Sequence, residues 1–385
     1  MLLYSRFPRR QEGLVRARPV NDVQSARSHC LTMRSTPRRI LIIKPSSFGD
    51  IVQSLPVLAA LKRTWPDAGV DWAVKPEWAE LIDGHPLLHR VILFPRNFSE
   101  ALRCASRSRR ERYRLVIDLQ GLLRSGLYAL MSGCPTRAGF ADGREGSSWC
   151  YTERVKVSPT VVHAVDRYLD LVRQLGAMPD KTVTFPLAES SKERDWAESL
   201  RQREGIGASE RVCVIHPTAR WETKRWPTER FARLADRLII EQGLRVVLIG
   251  GPAQLRQVDD VERQMKERAL NLGGSTTLLQ LAALLRRTNL LITNDSGPMH
   301  LAAAVGTPVV AVFGPTDPSR VGPYGAGHIV LRKTVDCSRC SRRRCVRDAL
   351  CMKAIEVDEV LDAVRKITSF ASLRERTTST RPAEL

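Results

Sequence analysis

The chain has 385 residues, of which 43% are hydrophobic, and its formal net charge is +20. A single core rarely grows past about 250 to 300 residues, so this length predicts two domains with a cleft between them. No run of about 18 apolar residues is present, and no apolar stretch near the N-terminus resembles a signal peptide, which argues against a membrane-spanning or secreted protein. We therefore expect a cytoplasmic protein whose nine cysteines are reduced.

The positive charge is distributed unevenly. Residues 1–39 hold nine arginines and two acidic residues, which is +7 of the total +20, and they show no apolar periodicity. We interpret residues 1–38 as a disordered basic tail and expect the functional chain to begin near Met33. The remaining +13 favours an anionic partner, which at this level is nucleic acid, a phosphorylated metabolite or an acidic membrane surface.

From Arg39 onward, short apolar runs rich in β-branched residues alternate with helical patterns. The runs lie at 40–44, 70–74, 91–94 and 115–119, and then at 211–216, 245–250, 290–293 and 309–313. Such runs, separated by helices, predict parallel sheets covered on both faces. We therefore expect an α/β fold whose two halves repeat one architecture.

The composition between the two sets of strands changes to Glu, Ser, Arg and Gly over residues 186–210, which we interpret as the domain linker region. This interpretation gives an N-terminal domain over 39–186 and a C-terminal domain over 187–355. Residues 356–385 are then a C-terminal helix and tail.

Two helices of the second half carry clear end signals. Pro227 lies at the first turn of one helix, whose apolar stripe ends before Gly243. Thr277 and Gln280 form a capping box at the start of another. Both signals support the alternation of strands and helices.

In open parallel sheets, ligands bind beyond the carboxyl ends of the strands, so the turns there are the candidate sites. The first such turn is "PSSFGD", residues 45–50. Ser46 and Ser47 allow close approach of a substrate, and Asp50 begins the next helix, where it either faces the cleft or simply caps the helix. No GxGxxG motif follows this strand, which argues against a dinucleotide-dependent oxidoreductase.

A second candidate turn is "NDSG", residues 294–297, which leads into the helix "PMHLAAAV". Free N–H groups and the helix dipole at Ser296 and Gly297 suit an anion such as a pyrophosphate. His300, one turn into the helix, either contacts the same ligand or is a packing residue. The segment "FGPTDP" repeats the strand-to-turn arrangement one strand later.

Four cysteines near the C-terminus have metal-ligand spacing. Cys337, Cys340, Cys345 and Cys351 form C-x2-C-x4-C-x5-C, interleaved with arginines. Four thiolates are able to close a structural zinc site or hold an iron–sulfur cluster. The alternative is that they are packing residues or exposed thiols.

Four segments together resemble glycosyltransferase family 9, the lipopolysaccharide heptosyltransferases. They are "ILIIKPSSFGDIVQSLPVLAALK", "DLQGLLRSG", "HPTARWETKRWP" and "NDSGPMHLAAAVGTPVVAVFGPTDP", and the resemblance covers roughly residues 38–370. It implies a GT-B fold, in which two Rossmann-like domains face each other and bind the acceptor and the nucleotide-sugar respectively. It also implies an inverting, metal-independent transfer of heptose from ADP-heptose to the Kdo or heptose of the lipopolysaccharide inner core.

The resemblance implies roles for single residues. Asp50 matches the catalytic base, and Lys224 matches a phosphate-binding lysine with Thr218 in the same loop. The donor-site positions are Asp295, Ser296, Gly297 and His300, and the acceptor-side positions are Lys44, Ser46, Ser47 and Arg124. From the residues alone, the alternative for Lys224 is a solvated surface lysine, which the flanking "HPT" and "RWP" make less favoured, and Arg124 is equally an exposed helix residue.

One position departs from the family pattern. Gln254 stands where members often have a glutamate that holds the donor ribose, and a neutral amide binds a hydroxyl less strongly. Asp295 has no second carboxylate beside it, so the donor turn lacks the charge to hold a divalent metal. The expected cofactor requirement is therefore none, apart from the zinc or iron–sulfur cluster that the cysteines suggest.

The expected partners are ADP-heptose, a lipid A/Kdo inner-core acceptor and the anionic cytoplasmic face of the inner membrane. Nucleic acid is not expected, because "CSRCSRRRC" lacks the aromatic residues on which bases stack. A sugar-nucleotide epimerase of GT-B type is the other alternative, although it does not need an acceptor side lined with cations.

Overall fold

The structure is a computed structural model that describes residues 36–337 and 340–378. Its strands are β1 (Arg39–Ile43), β2 (Gly69–Val74), β3 (Arg90–Leu93), β4 (Leu115–Asp118), β5 (Arg137–Phe140), β6 (Glu153–Val155), β7 (Val212–His216), β8 (Arg245–Gly250), β9 (Leu270–Gly273), β10 (Leu290–Asn294), β11 (Val309–Phe313) and β12 (Ile329–Arg332).

The α-helices of the described residues connect these strands. They are α1 (Phe48–Thr64), α2 (Phe98–Arg110), α3 (Leu123–Met131), α4 (Ala164–Gln174), α5 (Ser191–Arg203), α6 (Thr228–Gln242), α7 (Leu255–Glu262), α8 (Leu278–Arg286), α9 (Gly297–Ala304), α10 (Pro318–Val321), α11 (Leu350–Lys353) and α12 (Val357–Thr378). None of these helices is long and apolar enough to cross a membrane.

The strands form two six-stranded sheets with the same topology. The orders are β3-β2-β1-β4-β5-β6 and β12-β11-β10-β7-β8-β9, and every neighbouring pair is parallel. Each order is that of a Rossmann fold, with the reversal of strand order between β1 and β4 in one sheet and between β7 and β10 in the other. The predicted α/β fold with two repeated halves is confirmed.

All eight predicted strands are present, but four short ones were missed. These four, β5, β6, β9 and β12, lie toward the sheet edges and have three or four residues each. Strands near an edge need less apolar surface than central ones, so their sequences lack the continuous hydrophobic runs that identify buried parallel strands.

The core continues from one half to the other. One cluster contains the residues of one face of both sheets together with residues of α1, α4, α8 and α9. A smaller cluster lies on the opposite face of the first sheet, beneath α3, and includes Leu41, Ile43 and Tyr128. The helices that contact the other half are therefore on one face of the first sheet, and α2 and α3 are on the other.

The predicted helix ends are confirmed. Pro227 precedes α6, and Gly243 ends it in the left-handed region with φ of 60°. At the start of α8, the Thr277 hydroxyl accepts a hydrogen bond from the Gln280 N–H over 3.2 Å, and the Thr277 N–H donates to the Gln280 side chain over 3.0 Å.

The predicted linker region, residues 186–210, contains the helix α5 and lies between the last strand of the first sheet and the first strand of the second. Ala197 and Leu200 on α5 are buried, although the helix is mostly polar. An amphipathic helix with so narrow an apolar stripe has the composition of a linker. The predicted basic tail, including Met33, lies outside the described residues except for its last few positions.

The predicted C-terminal helix is present as α12. Its apolar face packs into the second half through Val360, Leu361 and Val364.

Candidate active site

The site is built around the N-termini of α1 and α9, which meet between the two halves. A Cβ atom on Gly49 of α1 would lie 2.4 Å from the His300 ring, and one on Gly297 of α9 would lie 2.1 Å from the Phe48 ring. Real Cβ atoms do not approach other atoms so closely, so both positions need glycine. The close approach aims the positive ends of two helix dipoles at the same cleft.

Asp50, at the third position of α1, has a carboxylate with two different surroundings. Oδ2 accepts hydrogen bonds from the Ser47 N–H (2.9 Å) and the Ser47 hydroxyl (2.6 Å), so Asp50 does cap the helix. Oδ1 lies 4.0 Å from the Lys44 Nζ, and 42% of the side chain is accessible in the cleft. One oxygen is therefore structural and the other is available to a ligand.

The charge on Asp50 is stabilised by its neighbours. Burial alone would raise the pKa of Asp50, but the Lys44 ammonium and the hydrogen bonds from Ser47 lower it below its usual value. Asp50 is consequently ionised at neutral pH and able to accept a proton.

Lys44 is a buried cation at the end of β1. Its side chain is 3% exposed, and its ammonium donates to the Leu119 carbonyl over 3.1 Å and lies 5.0 Å from the centre of the Tyr168 ring. Burial opposes the charge, but Tyr168 and Asp50 outweigh it and raise the pKa of Lys44. The ammonium of this predicted acceptor-side residue therefore contacts the Leu119 carbonyl and lies close to Asp50.

The second half forms the wall opposite Asp50, and there the structure brings together predicted donor-site residues. The Lys224 ammonium lies 2.6 Å from the Asp295 carboxylate and 4.6 Å from the centre of the Trp221 ring. Asp295 also accepts a hydrogen bond from the Thr316 hydroxyl in the turn after β11. Lys224 is thus fixed against the β10 turn and is not a freely solvated lysine.

His216, at the end of β7, lies in the candidate site although its sequence pattern was not singled out. Its ring joins two predicted donor-site residues, with Nε2 3.0 Å from the Thr218 hydroxyl and Nδ1 3.1 Å from the Ser296 hydroxyl. Burial lowers its pKa to about 4, although a hydrogen bond with Gln254 opposes this shift. The neutral ring therefore donates through one nitrogen and accepts through the other. Its place at the end of a strand in "HPT" is the signal that could have identified it.

Asn294, at the end of β10, is a second residue that was missed. Its amide donates to the Pro217 carbonyl over 2.9 Å, and its side-chain oxygen accepts from the Trp226 N–H over 3.0 Å. Both bonds attach the loop between β7 and α6 to the neighbouring strand. Asn294 thereby positions the loop that carries Lys224.

His300 lies between the two walls. It is 8% exposed, its Nδ1 has no partner among the described residues, and both Asp50 and Asp295 are near enough to act on its charge. Burial lowers the pKa of His300 to about 4, and the two carboxylates only partly oppose this. His300 is therefore neutral at physiological pH, with a buried ring nitrogen that has no hydrogen-bond partner among the described residues.

Two predicted residues lie at the margins of this group. The side-chain oxygen of Gln254 accepts from the Gly251 N–H over 3.1 Å, so Gln254 is part of the turn after β8, from which it also interacts with His216. The Arg124 guanidinium lies 5.1 Å from the centre of the Phe94 ring and donates to the Pro95 carbonyl. Arg124 is thus held toward β3, away from the contacts that surround Asp50.

The four clustered cysteines differ in exposure. Cys351 is buried, Cys337 is partly exposed, and Cys340 and Cys345 are exposed. Within residues 36–337 and 340–378, no three His, Cys, Asp or Glu side chains are grouped to hold a metal ion. The metal site therefore remains a prediction without support from the geometry.

The segment that carries these cysteines contacts the Lys224 loop. The Thr223 hydroxyl donates to the Arg342 carbonyl over 2.8 Å, and the Arg343 guanidinium lies 5.2 Å from the centre of the Trp221 ring. Because Lys224 lies against the same ring, Arg343 adds a second positive charge at this end of the cleft. No sequence pattern singles out this arginine.

Comparison with known proteins assigns the family. Residues 101–350 match glycosyltransferase family 9 (heptosyltransferase). The chain is 31% identical over 320 residues to lipopolysaccharide heptosyltransferase 1 of Pseudomonas aeruginosa, which covers 80% of this chain and 87% of that protein. It is 30% identical over 285 residues to lipopolysaccharide heptosyltransferase 3 of Escherichia coli, which covers 70% and 80% respectively.

Solved structures show the same fold. A family 9 glycosyl transferase from Veillonella parvula superposes with a TM-score of 0.75 at 25% identity, covering 89% of this chain and 99% of that one. The E. coli ADP-heptose lps heptosyltransferase II superposes with a TM-score of 0.71 at 24% identity, covering 87% and 99%. The chain belongs to glycosyltransferase family 9, and it is a glycosyltransferase with the GT-B fold.

The buried, neutral His216 predicts a specific pH dependence of stability. Its folded pKa of about 4 lies below the value of about 6.5 in an unfolded chain, so only the unfolded state binds the proton between these values. The contribution of the neutral His216 to the free energy of unfolding is therefore fully present above the unfolded pKa and is lost as the pH falls from about 6.5 to about 4. In this range, we expect His216→Gln to reduce the slope of the free energy of unfolding against pH by up to about 1.4 kcal/mol per pH unit.

The measurement is urea unfolding of both proteins at several pH values across the window. Equal slopes for the wild type and His216→Gln would contradict the neutral, buried state of this histidine.

Proposed function

We propose that this enzyme transfers heptose from ADP-heptose to the inner core of lipopolysaccharide with inversion at the anomeric carbon. The observation that carries this proposal is the placement of an ionised, partly accessible carboxylate, Asp50, opposite a helix N-terminus flanked by Lys224. One wall then supplies a base for an acceptor hydroxyl and the other supplies positive charge for a leaving diphosphate. Membership of family 9 and the heptosyltransferase names of the relatives support the choice of sugar and acceptor.

The donor diphosphate is proposed to bind at the N-terminus of α9. Unpaired N–H groups of the first helical turn and the helix dipole favour an anion there. Lys224 and Arg343, both held against Trp221, add positive side chains beside this turn. His300, being neutral, is able to donate one hydrogen bond without adding charge. This arrangement supports a diphosphate in general, and the choice of ADP follows the family relationship.

The proposed reaction is a single displacement. The acceptor hydroxyl gives its proton to Oδ1 of Asp50 as its oxygen attacks the anomeric carbon from the face opposite the diphosphate. The bond between the anomeric carbon and the phosphate oxygen breaks, and its electron pair leaves with the diphosphate. Lys224 and the α9 N-terminus stabilise the charge that develops on the leaving group, which is the role a metal fulfils in other transferases.

The acceptor is proposed to approach from the side of the first half. Lys44 keeps Asp50 ionised, and Ser47 fixes the carboxylate so that Oδ1 faces the cleft. Arg124 is exposed and able to meet acceptor phosphates or carboxylates at the rim. Because this acceptor is anchored in lipid, we also propose that the enzyme works in peripheral contact with the anionic cytoplasmic face of the inner membrane.

Product analysis tests the proposed reaction. The protein is incubated with ADP-heptose and, in parallel, with lipopolysaccharide that ends at Kdo and lipopolysaccharide that ends at the first heptose, each with and without a strong chelator. We expect one of these acceptors to gain one heptose in both conditions, as measured by mass spectrometry, and the new bond to have the inverted configuration by NMR. Consumption of the donor without any acceptor would favour an epimerase. A rate that fell with the chelator and returned with magnesium would contradict metal-independent transfer.

Asp50→Asn tests the base. The amide keeps the size of the side chain and accepts the capping bond from Ser47, but it cannot take up the acceptor proton, so we expect kcat to fall about 10² to 10⁴-fold. ADP affinity should not change. Asp67→Asn, at an exposed position after α1, is the matched control. A rate within about threefold of the wild type would mean that another group acts as the base.

Lys224→Ala tests the donor wall. Loss of a charge-assisted contact with the diphosphate should weaken ADP binding about tenfold to 100-fold. Removal of the lysine also leaves Asp295 unpaired near the phosphates, which acts in the same direction. Isothermal titration calorimetry measures the affinity, and the exposed Lys181→Ala serves as control. Unchanged affinity would place Lys224 outside the donor site.

A further inference from the structure

Helices α2 and α3 form the outer layer on the face of the first sheet that is turned away from α1. Tyr128 and Ala129 of α3 are buried against the sheet. The two helices also contact each other, since the Ser108 and Tyr128 hydroxyls are 3.2 Å apart and the Arg109 guanidinium donates to the Met131 carbonyl over 3.1 Å. Their outward side chains therefore belong to one continuous surface.

The outward side of α3 carries an apolar stripe. Leu123, Leu127 and Leu130 have the spacing of one helix face and are 40%, 44% and 46% exposed. The inward side of the helix already supplies the core residues, so these leucines are not needed for folding. Three large apolar side chains in a row on the surface mark an interaction site more often than single exposed residues do.

An exposed tryptophan lies in the segment that packs against α3. Residues 144–150 pack against α3 so closely that a Cβ atom on Gly126 would lie 3.1 Å from the Ser147 carbonyl oxygen. Trp149, in this segment, is 82% exposed. Tryptophan is enriched at membrane–water interfaces because its large ring is apolar while its N–H remains hydrated.

The adjoining helix α2 is strongly basic. Residues 96–114 contain seven arginines and two acidic residues, Glu100 and Glu111. Glu100 accepts from the Arg96 N–H over 2.7 Å at the start of the helix, and Glu111 is paired with Arg39 and Arg90 at 2.8 Å each at its end, so both carboxylates are engaged. The exposed arginines share a helix face at Arg103, Arg107 and Arg110.

We propose that the outer face, defined as the exposed side chains of α2, α3 and residues 144–150, is the surface by which this enzyme docks on an anionic lipid bilayer. Leucines and a tryptophan enter the interface, and arginines beside them meet the lipid phosphates. This inference names the surface for the membrane contact proposed above and rests on that proposal.

The outer face also reaches the active site. Leu123, the first residue of α3, follows Leu119 by one short turn, and the Leu119 carbonyl binds Lys44 next to Asp50. An acceptor anchored in the bilayer would therefore meet the rim of the cleft. A second copy of the chain suits this surface poorly, because a symmetric contact would place arginine against arginine.

Vesicle binding tests the proposal without acceptor or sugar nucleotide, so its outcome is independent of the proposed reaction. Cosedimentation is measured with phosphatidylcholine vesicles and with vesicles that also contain phosphatidylglycerol. We expect binding only to the anionic vesicles, and weaker binding as salt is raised.

Two double variants and their controls locate the surface. Arg107→Gln with Arg110→Gln should weaken binding about fivefold per arginine. Leu127→Ser with Leu130→Ser should also weaken it about fivefold per leucine, because a half-exposed side chain has only part of its surface left to bury. The matched controls are Lys192→Gln with Arg194→Gln on α5, and Ile240→Ser, an apolar residue that is 69% exposed on α6.

Circular dichroism confirms that each variant folds, and light scattering reports its oligomeric state. Loss of vesicle binding in both double variants, with the controls unchanged, supports the outer face as the docking surface. Equal binding by all variants, or no binding to anionic vesicles, would overturn it. A leucine variant that changed the oligomeric state but not vesicle binding would show instead that the stripe joins copies of the chain.

Discussion

The close contact between the N-termini of α1 and α9 determines the rest of the site. Gly49 against His300 and Gly297 against Phe48 leave no space for a Cβ atom, so the two halves approach at these two points. The contact sets the distance between Asp50 on one wall and the α9 turn on the other. It also buries His300, which consequently stays neutral. A bulkier residue at either glycine would push α1 and α9 apart and so separate Asp50 from the donor wall, while the fold of each half would be retained.

Each wall holds one carboxylate beside one lysine, and the two pairs serve different purposes. Lys44 is almost completely buried, and its charge keeps Asp50 ionised while one carboxylate oxygen remains accessible. Lys224 is held by Asp295 and Trp221, so the position of its ammonium is fixed by contacts within the protein. Preorganised charge of this kind stabilises a leaving group without rearrangement during the reaction. Asn294 and His216 extend this organisation by fixing the loops on which Lys224, Thr218 and Ser296 lie.

The sequence predicts those features whose causes are local. Continuous apolar runs identified the central parallel strands, and end signals identified α6 and α8, because both patterns act over a few neighbouring residues. The short strands β5, β6, β9 and β12 lack such runs, and α5 has too narrow an apolar stripe to be distinguished from a linker. His216 and Asn294 were missed for a different reason. Their partners lie about 80 residues away along the chain and become neighbours only because β7 pairs with β10.

A crystal structure of the protein with ADP would show whether the α9 N-terminus and Lys224 form the donor wall opposite Asp50. We expect the diphosphate to lie at the first turn of α9, within hydrogen-bonding distance of the backbone N–H groups there and of the Lys224 ammonium, with the terminal phosphate directed toward Asp50. A nucleotide bound beyond the first sheet, or with its phosphates directed away from α9, would contradict it.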